Sequence, residues 1–318
     1  MRNAFAAEIV KLATADTRVV LLSGDIGNRL FDEYQAKCPS RFFNCGVAEA
    51  NMMSMAAGLA LSGLRPVVYT IAAFATVRCL EQIRIDAAFQ RQPIVIVGVG
   101  AGLSYASLNA THHCCEDIAY LRMMPGMTVL CPADVHEVKG SLRAALAQDG
   151  PVYIRLGKKG EPVVHAAEPE FSIGRAIVVR SGSDVCLLAA GTLVAVAMES
   201  ARRLEACGVS AQVVSFHTVK PLDEELLAQV FGRFGLVATV EEHSQLGGLG
   251  GSVAEWMTDQ PSLDTRLLRI GTDDRFLYVA GEQEHARELY GLTAEAIAER
   301  IVSGYRGLNQ NRRLVRAI

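Results

Sequence analysis

The chain has 318 residues, half of them hydrophobic, with 31 Lys and Arg against 34 Asp and Glu and a net charge of -3. That length suggests roughly two domains of ~150 residues, each able to bury a sizeable core. The charge balance carries no basic block except the short tail NRRLVR (Asn311 to Arg316), which argues against a nucleic-acid partner. No apolar run reaches the ~20 residues of a bilayer span, and MRNAFAAEIVKLA lacks a signal-peptide core and cleavage site, so a cytoplasmic location is expected.

Taken in chain order, short β-branched runs alternate with helical patterns, which predicts α/β units with mainly parallel sheets and crossover helices. Strands are expected at Val19 to Gly24, Pro66 to Ile71, Pro93 to Val99, Met127 to Pro132 and Pro151 to Gly157. Helices fit between them around Glu49 to Leu61, Thr76 to Phe89, Glu116 to Arg122 and His136 to Ala147. Residues 1–157 thus read as one unit. The polar, proline-containing stretch 158–175, KKGEPVVHAAEPEFSIGR, reads as a linker. A second unit, 176–318, has strands at Asp184 to Gly191, Ser210 to Phe216, Gly235 to Glu242 and Thr265 to Gly271, with a clear helical pattern over Val194 to Ala206.

The eight cysteines lie mostly inside hydrophobic runs and never as a C-x2-C pair, so they read as reduced core thiols. Adjacent Cys114 and Cys115 do not have metal-ligand spacing, and no metal site is expected in this chain.

Parallel sheets bind ligands at the C-terminal ends of their strands, and three loops stand out there. SGDIGN (Ser23 to Asn28) allows close backbone approach or simply makes a turn. The small-residue stretch Gly98 to Thr111 leads into His112 and His113, whose imidazoles could polarise an oxygen or shuttle a proton, or cap the next helix. GGLGGS (Gly247 to Ser252) either cradles an anion or packs a helix tightly on its strand; it lacks the Lys and Ser/Thr of a P-loop. No G-x-S-x-G elbow is present.

Glu49 opens an otherwise apolar, small-residue helix in GVAEANMMSMAAGLALSG. Burial disfavours an anion there and a helix N-terminus favours it, so such a carboxylate is either a cap or a group poised to share a proton with a bound base.

In order and spacing, SGDIG, RFFNCGVAEANMMSMAAGLALSGLRPVV, EQIRIDAAFQRQPIVIV, THHCCEDIAYLRMMPGMTVLCPAD and PVYIRLGKKG, followed by VSFHTVKPLD and VEEHSQLGGLGGSVAE, cover nearly the whole chain. Together they resemble the second half of transketolase-type thiamine-diphosphate enzymes, a pyrimidine-binding domain followed by the transketolase C-terminal domain. The resemblance implies that Glu49 bonds N1′ of the cofactor's pyrimidine and promotes the imino form that deprotonates the thiazolium. It implies that Phe74 stacks on the pyrimidine and that Ile26, with Asp25 beside it, packs against that ring. His112 matches the histidine of a THQ motif near the reacting carbonyl. Asn28, His113, Arg2 and Arg155 fall on the substrate side, the two arginines near phosphate-binding positions, where a guanidinium fork suits phosphate; the alternative for each is a surface or domain-contact arginine.

The family's diphosphate and magnesium motif, a GDG followed by an asparagine pair, is absent, and GDIG at Gly24 does not supply it. The resemblance therefore implies one subunit of a split enzyme whose partner holds Mg2+ and the diphosphate, most simply as an α2β2 assembly. Leu108, His113 and Gly100 stand where transketolases carry Asp, Gln and His, which points to an unusual sugar substrate. Ketol transfer through a cofactor carbanion and enamine is the expected activity. A 2-oxoacid-decarboxylating subunit is the alternative within enzymes, and a non-catalytic scaffold the alternative outside them.

Overall fold

The structure, a computed structural model, describes residues 1–27 and 29–315, with side chains as far as residue 308. Among the described residues twelve strands form two sheets. They are β1 (Val19–Ser23), β2 (Phe42–Asn44), β3 (Arg65–Ile71), β4 (Val95–Val99), β5 (Thr128–Leu130), β6 (Val152–Leu156), β7 (Ile177–Arg180), β8 (Val185–Ala189), β9 (Ala211–Ser215), β10 (Thr218–Lys220), β11 (Leu236–Ser244) and β12 (Arg266–Thr272). The first sheet has the order β10-β5-β6-β4-β3-β1-β2 and the second β12-β11-β8-β9-β7. All pairings are parallel except β10 with β5 and β7 with β9.

The central strands are apolar along their whole length because helices cover both faces. Alternate residues of β1 face opposite cores. Leu21 packs with Phe5 and Ile9 of the helix Arg2–Ala15 and with Val138 and Leu142 of the helix Val135–Leu146. Leu22 packs with Met52 and Met53 of the helix Glu49–Leu61 and with Ile83. This second core does not stop at a domain boundary. It runs on through Cys131 and Val219 to Leu188, Phe216 and Val253 of the second unit.

The nine strands expected from the sequence are present, and β2, β7 and β10 are additional. Each is three or four residues long, too short to carry a period, and exists because a neighbouring strand offers an unpaired edge. The helix expected over Thr76 to Phe89 starts earlier, at Ala72, and changes pitch along its length: α-helical, then a 3-10 turn at Val77–Cys79, then π-helical over Ile83–Phe89.

The segment 158–175 contains no helix or strand, yet it is strapped down. Asp134 Oδ2 accepts the amides of Val164 and His165 at 2.9 Å each, and His165 Nε2 lies 2.7 Å from Glu137 Oε1. Phe171 stacks on the buried His217 ring at 4.1 Å between centroids.

A buried polar cluster joins the two domains. Arg155 on β6 donates through Nε to Asp117 Oδ2 at 2.8 Å and through Nη2 to the carbonyls of Cys114 and Glu242, each at 2.9 Å. Tyr153 gives its hydroxyl to the same Asp117 at 2.7 Å. His243 Nε2 stands 4.0 Å from Asp117 Oδ1, and its Nδ1 faces the Ser244 carbonyl at 2.8 Å. Burial pushes the His243 imidazole down to about 4.

Breaking a buried pair by removing one partner leaves an uncompensated charge. Asp117→Asn is expected to lower unfolding free energy by ~3–5 kcal/mol, read from the urea midpoint. For His243 the unfolded ring takes up a proton near its ordinary 6.5 whereas the folded ring resists until about 4, so stability is full above that window and falls as pH drops through it. The expected loss between about pH 7 and about pH 5 is ~2 kcal/mol, and His243→Gln removes that component of the pH–stability curve.

Candidate active site

The loops after β1, β3 and β4 and the helix that follows β2 converge at the C-terminal edge of the first sheet. Glu49 is the first residue of the helix Glu49–Leu61 and is only 4 % exposed. The wall beside it is Gly24, just past β1. A Cβ there would press on Thr70 Oγ1 at 2.9 Å and lie 3.9 Å from Glu49 Oε1, so glycine keeps this side of the carboxylate open. The Thr70 hydroxyl is buried and has no hydrogen-bond partner among the described residues.

The opposite side is aromatic. Phe74, in the short helix Ala72–Thr76 after β3, is half-buried and meets the His112 ring edge-on at 5.2 Å. Tyr105 also meets His112, at 5.9 Å between ring centroids, and Lys158 Nζ sits 4.6 Å over the Tyr105 ring. A side chain at Gly100 would collide with Tyr105, so the tyrosine ring fills the volume that a larger residue at position 100 would take. His112 Nδ1 lies 2.9 Å from Thr111 Oγ1. Burial, followed by the Arg78 charge, holds the imidazole below its ordinary range, so it is neutral and available as a proton acceptor near neutral pH.

Arg78, one turn beyond Phe74, is not among the residues that the sequence singles out. Its Nη1 donates to Glu49 Oε2 at 2.7 Å, and its guanidinium lies 4.1 Å over the Phe74 ring. The signal available is its i+4 spacing from Phe74, which puts both on one helix face. Tyr105 and Thr70 escape sequence reasoning likewise, the first inside a loop without periodicity and the second inside an ordinary strand.

Of the remaining candidates, Ile26 is half-buried and packs on the same core as Phe74. Asp25 is exposed and accepts from Asn44 Nδ2 at 3.1 Å. Asn28 lies outside the described residues. Arg2 starts the first helix and is near enough to Tyr69 and Tyr105 for its charge to oppose the upward push that burial gives both phenols.

Two residues lie away from the substrate-side positions that the resemblance implies. The resemblance puts Arg155 on the substrate side, but it is 7 % exposed and its Nε and Nη2 are engaged by Asp117 and two backbone carbonyls, so it braces the domains. His113 lines a cavity of about 190 Å³ with Leu103, Glu116 and Tyr290, a lining that does not include His112, and burial lowers its imidazole.

GGLGGS resolves in favour of packing. The helix Leu249–Thr258 begins there, and its first amides are already taken by a protein carboxylate. Glu241 accepts from Leu249 and Gly250 at 2.7 Å each, and a Cβ at Gly248 would collide with the same carboxylate. Among the described residues no group of three or more His, Cys, Asp or Glu is arranged to hold a metal, and no helix is long and apolar enough to cross a membrane.

A buried carboxylate, a flat aromatic face, an orphaned hydroxyl and a Cβ-free wall thus gather at the C-terminal edge of the first sheet. Comparison with known proteins places the chain in a family. Residues 1–161 match the family described as transketolase, pyrimidine binding domain, and residues 174–297 the transketolase C-terminal domain. The chain is 35% identical to the 6-deoxy-6-sulfo-D-fructose transketolase subunit SqwH of Clostridium sp. (strain MSTE9), over 93% of this chain and 92% of that one. It is 33% identical to a subunit of the apulose-4-phosphate transketolase of Phocaeicola vulgatus, over 94% of this chain and 95% of that one. A solved structure described as split gene transketolase, inactive beta4 tetramer, superposes with a TM-score of 0.88 at 34% identity, covering 96% of this chain and 98% of that one. With both domain families in order over a site of this construction, the chain belongs to the transketolase family.

Proposed function

We propose that this transketolase-family chain is the pyrimidine-binding subunit of a split ketol-transferase that uses thiamine diphosphate with Mg2+. The observation that carries the reading is the grouping of Glu49, buried at a helix N-terminus, with Phe74, which Arg78 links to it, and with His112 against Phe74. When bound, thiamine diphosphate supplies a nucleophilic carbon and an electron sink for breaking and making carbon–carbon bonds.

Each residue then has a task set by its position. Glu49 holds or releases a proton at the pyrimidine N1′. Phe74 and Ile26 fix the plane of that ring, with Asp25 at the rim. His112 receives or returns the proton of the reacting hydroxyl, and the low-lying imidazole suits a base. Arg2, with Lys158 over Tyr105, gives the substrate end of the cleft a cationic rim, which suits a ketose carrying an anionic group at its far end. The names of the two relatives include a sulfo and a phosphate group, in keeping with that rim. Since those relatives are subunits, a partner chain is expected to hold Mg2+ and the diphosphate, in an α2β2 assembly.

Glu49→Gln is expected to cut two-carbon transfer by at least about a hundredfold, while size-exclusion chromatography shows unchanged assembly; a variant of normal activity would remove Glu49 from the chemistry. Incubating the two-subunit complex with a labelled ketose phosphate and an aldehyde is expected to move the label without release of carbon dioxide. Carbon dioxide from labelled pyruvate without sugar exchange would instead favour a 2-oxoacid-decarboxylating subunit.

A further inference from the structure

Arg78 touches both groups that define the site. Its guanidinium covers the Phe74 face at 4.1 Å while Nη1 bonds Glu49 Oε2 at 2.7 Å. A flat, nitrogen-rich cation thus makes, from within the chain, the two contacts that the proposed function gives to the cofactor's aminopyrimidine. One aromatic face and one carboxylate oxygen cannot serve both at once.

We propose that Arg78 is a placeholder for the cofactor's aminopyrimidine: it neutralises Glu49 and covers Phe74 until the ring enters, then swings out to solvent. The proposal rests on the thiamine diphosphate reading above.

The two ends of the ion pair are unequal. The Glu49 side chain is 4% exposed and needs a partner, whereas the Arg78 side chain is 44% exposed and can leave along a route already open to water. Arg78 lies in the 3-10 turn Val77–Cys79, between α-helical residues and the π-helical stretch Ile83–Phe89. Mid-helix changes of pitch are where a helix rearranges at low cost. The placeholder keeps a buried carboxylate paired, and it reduces apparent cofactor affinity by the fraction of molecules in which the face is covered. The Arg78 charge also opposes protonation of His112, so its departure leaves a more basic imidazole.

The test uses the chain assembled with its partner subunit, titrated calorimetrically with thiamine diphosphate in the presence of Mg2+. Arg78→Met keeps the stem but removes the cation, and it is expected to bind roughly tenfold tighter than wild type. Its melting temperature is expected to fall without the cofactor and to match wild type with saturating cofactor. Arg78→Lys retains charge without the flat face and should lie between the two. Unchanged or weaker binding by Arg78→Met, or an equal loss of melting temperature with and without cofactor, would overturn the placeholder and leave a structural arginine. Glu49→Gln separates the two levels of argument. If it loses affinity while Arg78→Met is unchanged, only the placeholder falls; if it binds like wild type, the Glu49 assignment falls and the placeholder with it.

Discussion

The Arg155–Asp117 pair sits where three parts of the molecule meet. Arg155 rises from β6 in the first sheet, Asp117 opens the helix Asp117–Arg122, and the guanidinium also holds the carbonyls of Cys114, at the end of the histidine loop, and Glu242, on β11 of the second domain. Two buried charges are costly to desolvate, and the cost is offset only when almost every polar atom finds a partner. Here the tyrosine hydroxyl of Tyr153 and the two carbonyls provide those partners. The direction of the loop that carries His112 is thereby tied to the docking of the C-terminal domain. Glu242 reinforces this from the other side, accepting from the Leu103 amide, Gln283 and Arg287.

The second domain uses the same physics at its glycine-rich turn. A helix N-terminus attracts an anion, and here its place is taken by the carboxyl of the protein's own Glu241. Burial pushes that carboxyl up to about 7, with the two amide donors opposing the rise. Glycine is needed at 248 because the carboxylate comes so close, and at 250 because the Thr239 hydroxyl does. A turn that looks open to phosphate in sequence is closed by a residue seven positions before Gly248, on the strand that precedes it.

What could be read from the chain followed from periodicity and burial. The helix Glu49–Leu61 was legible to the residue because a charged start, a run of small and apolar positions and a terminal glycine bound it. Central strands were legible because burial on both faces makes them uniformly apolar. The short strands were not, since three residues such as Thr218–Lys220 pair only because β5 offers them an edge. Arg155 and Arg78 illustrate the same limit for side chains. Each is an arginine in an ordinary stretch, and nothing local says that one faces an interior aspartate and the other a catalytic-type carboxylate. Family resemblance placed Glu49, Phe74 and His112 in one site. It could not show that His113 lines a cavity with Glu116 and Tyr290 while His112 meets Phe74 and Tyr105.

The antiparallel pairing of β10 with β5 has a consequence for synthesis. The first sheet is closed at that edge by a strand that leaves the ribosome about 60 residues after β6, at typical elongation rates some 3–12 s later. Until then the β5 edge carries unpaired backbone groups, the kind of edge that templates association with other chains. The N-terminal domain is therefore a folding unit on loan from the C-terminal one, and the nascent protein is most vulnerable while half of it has been made.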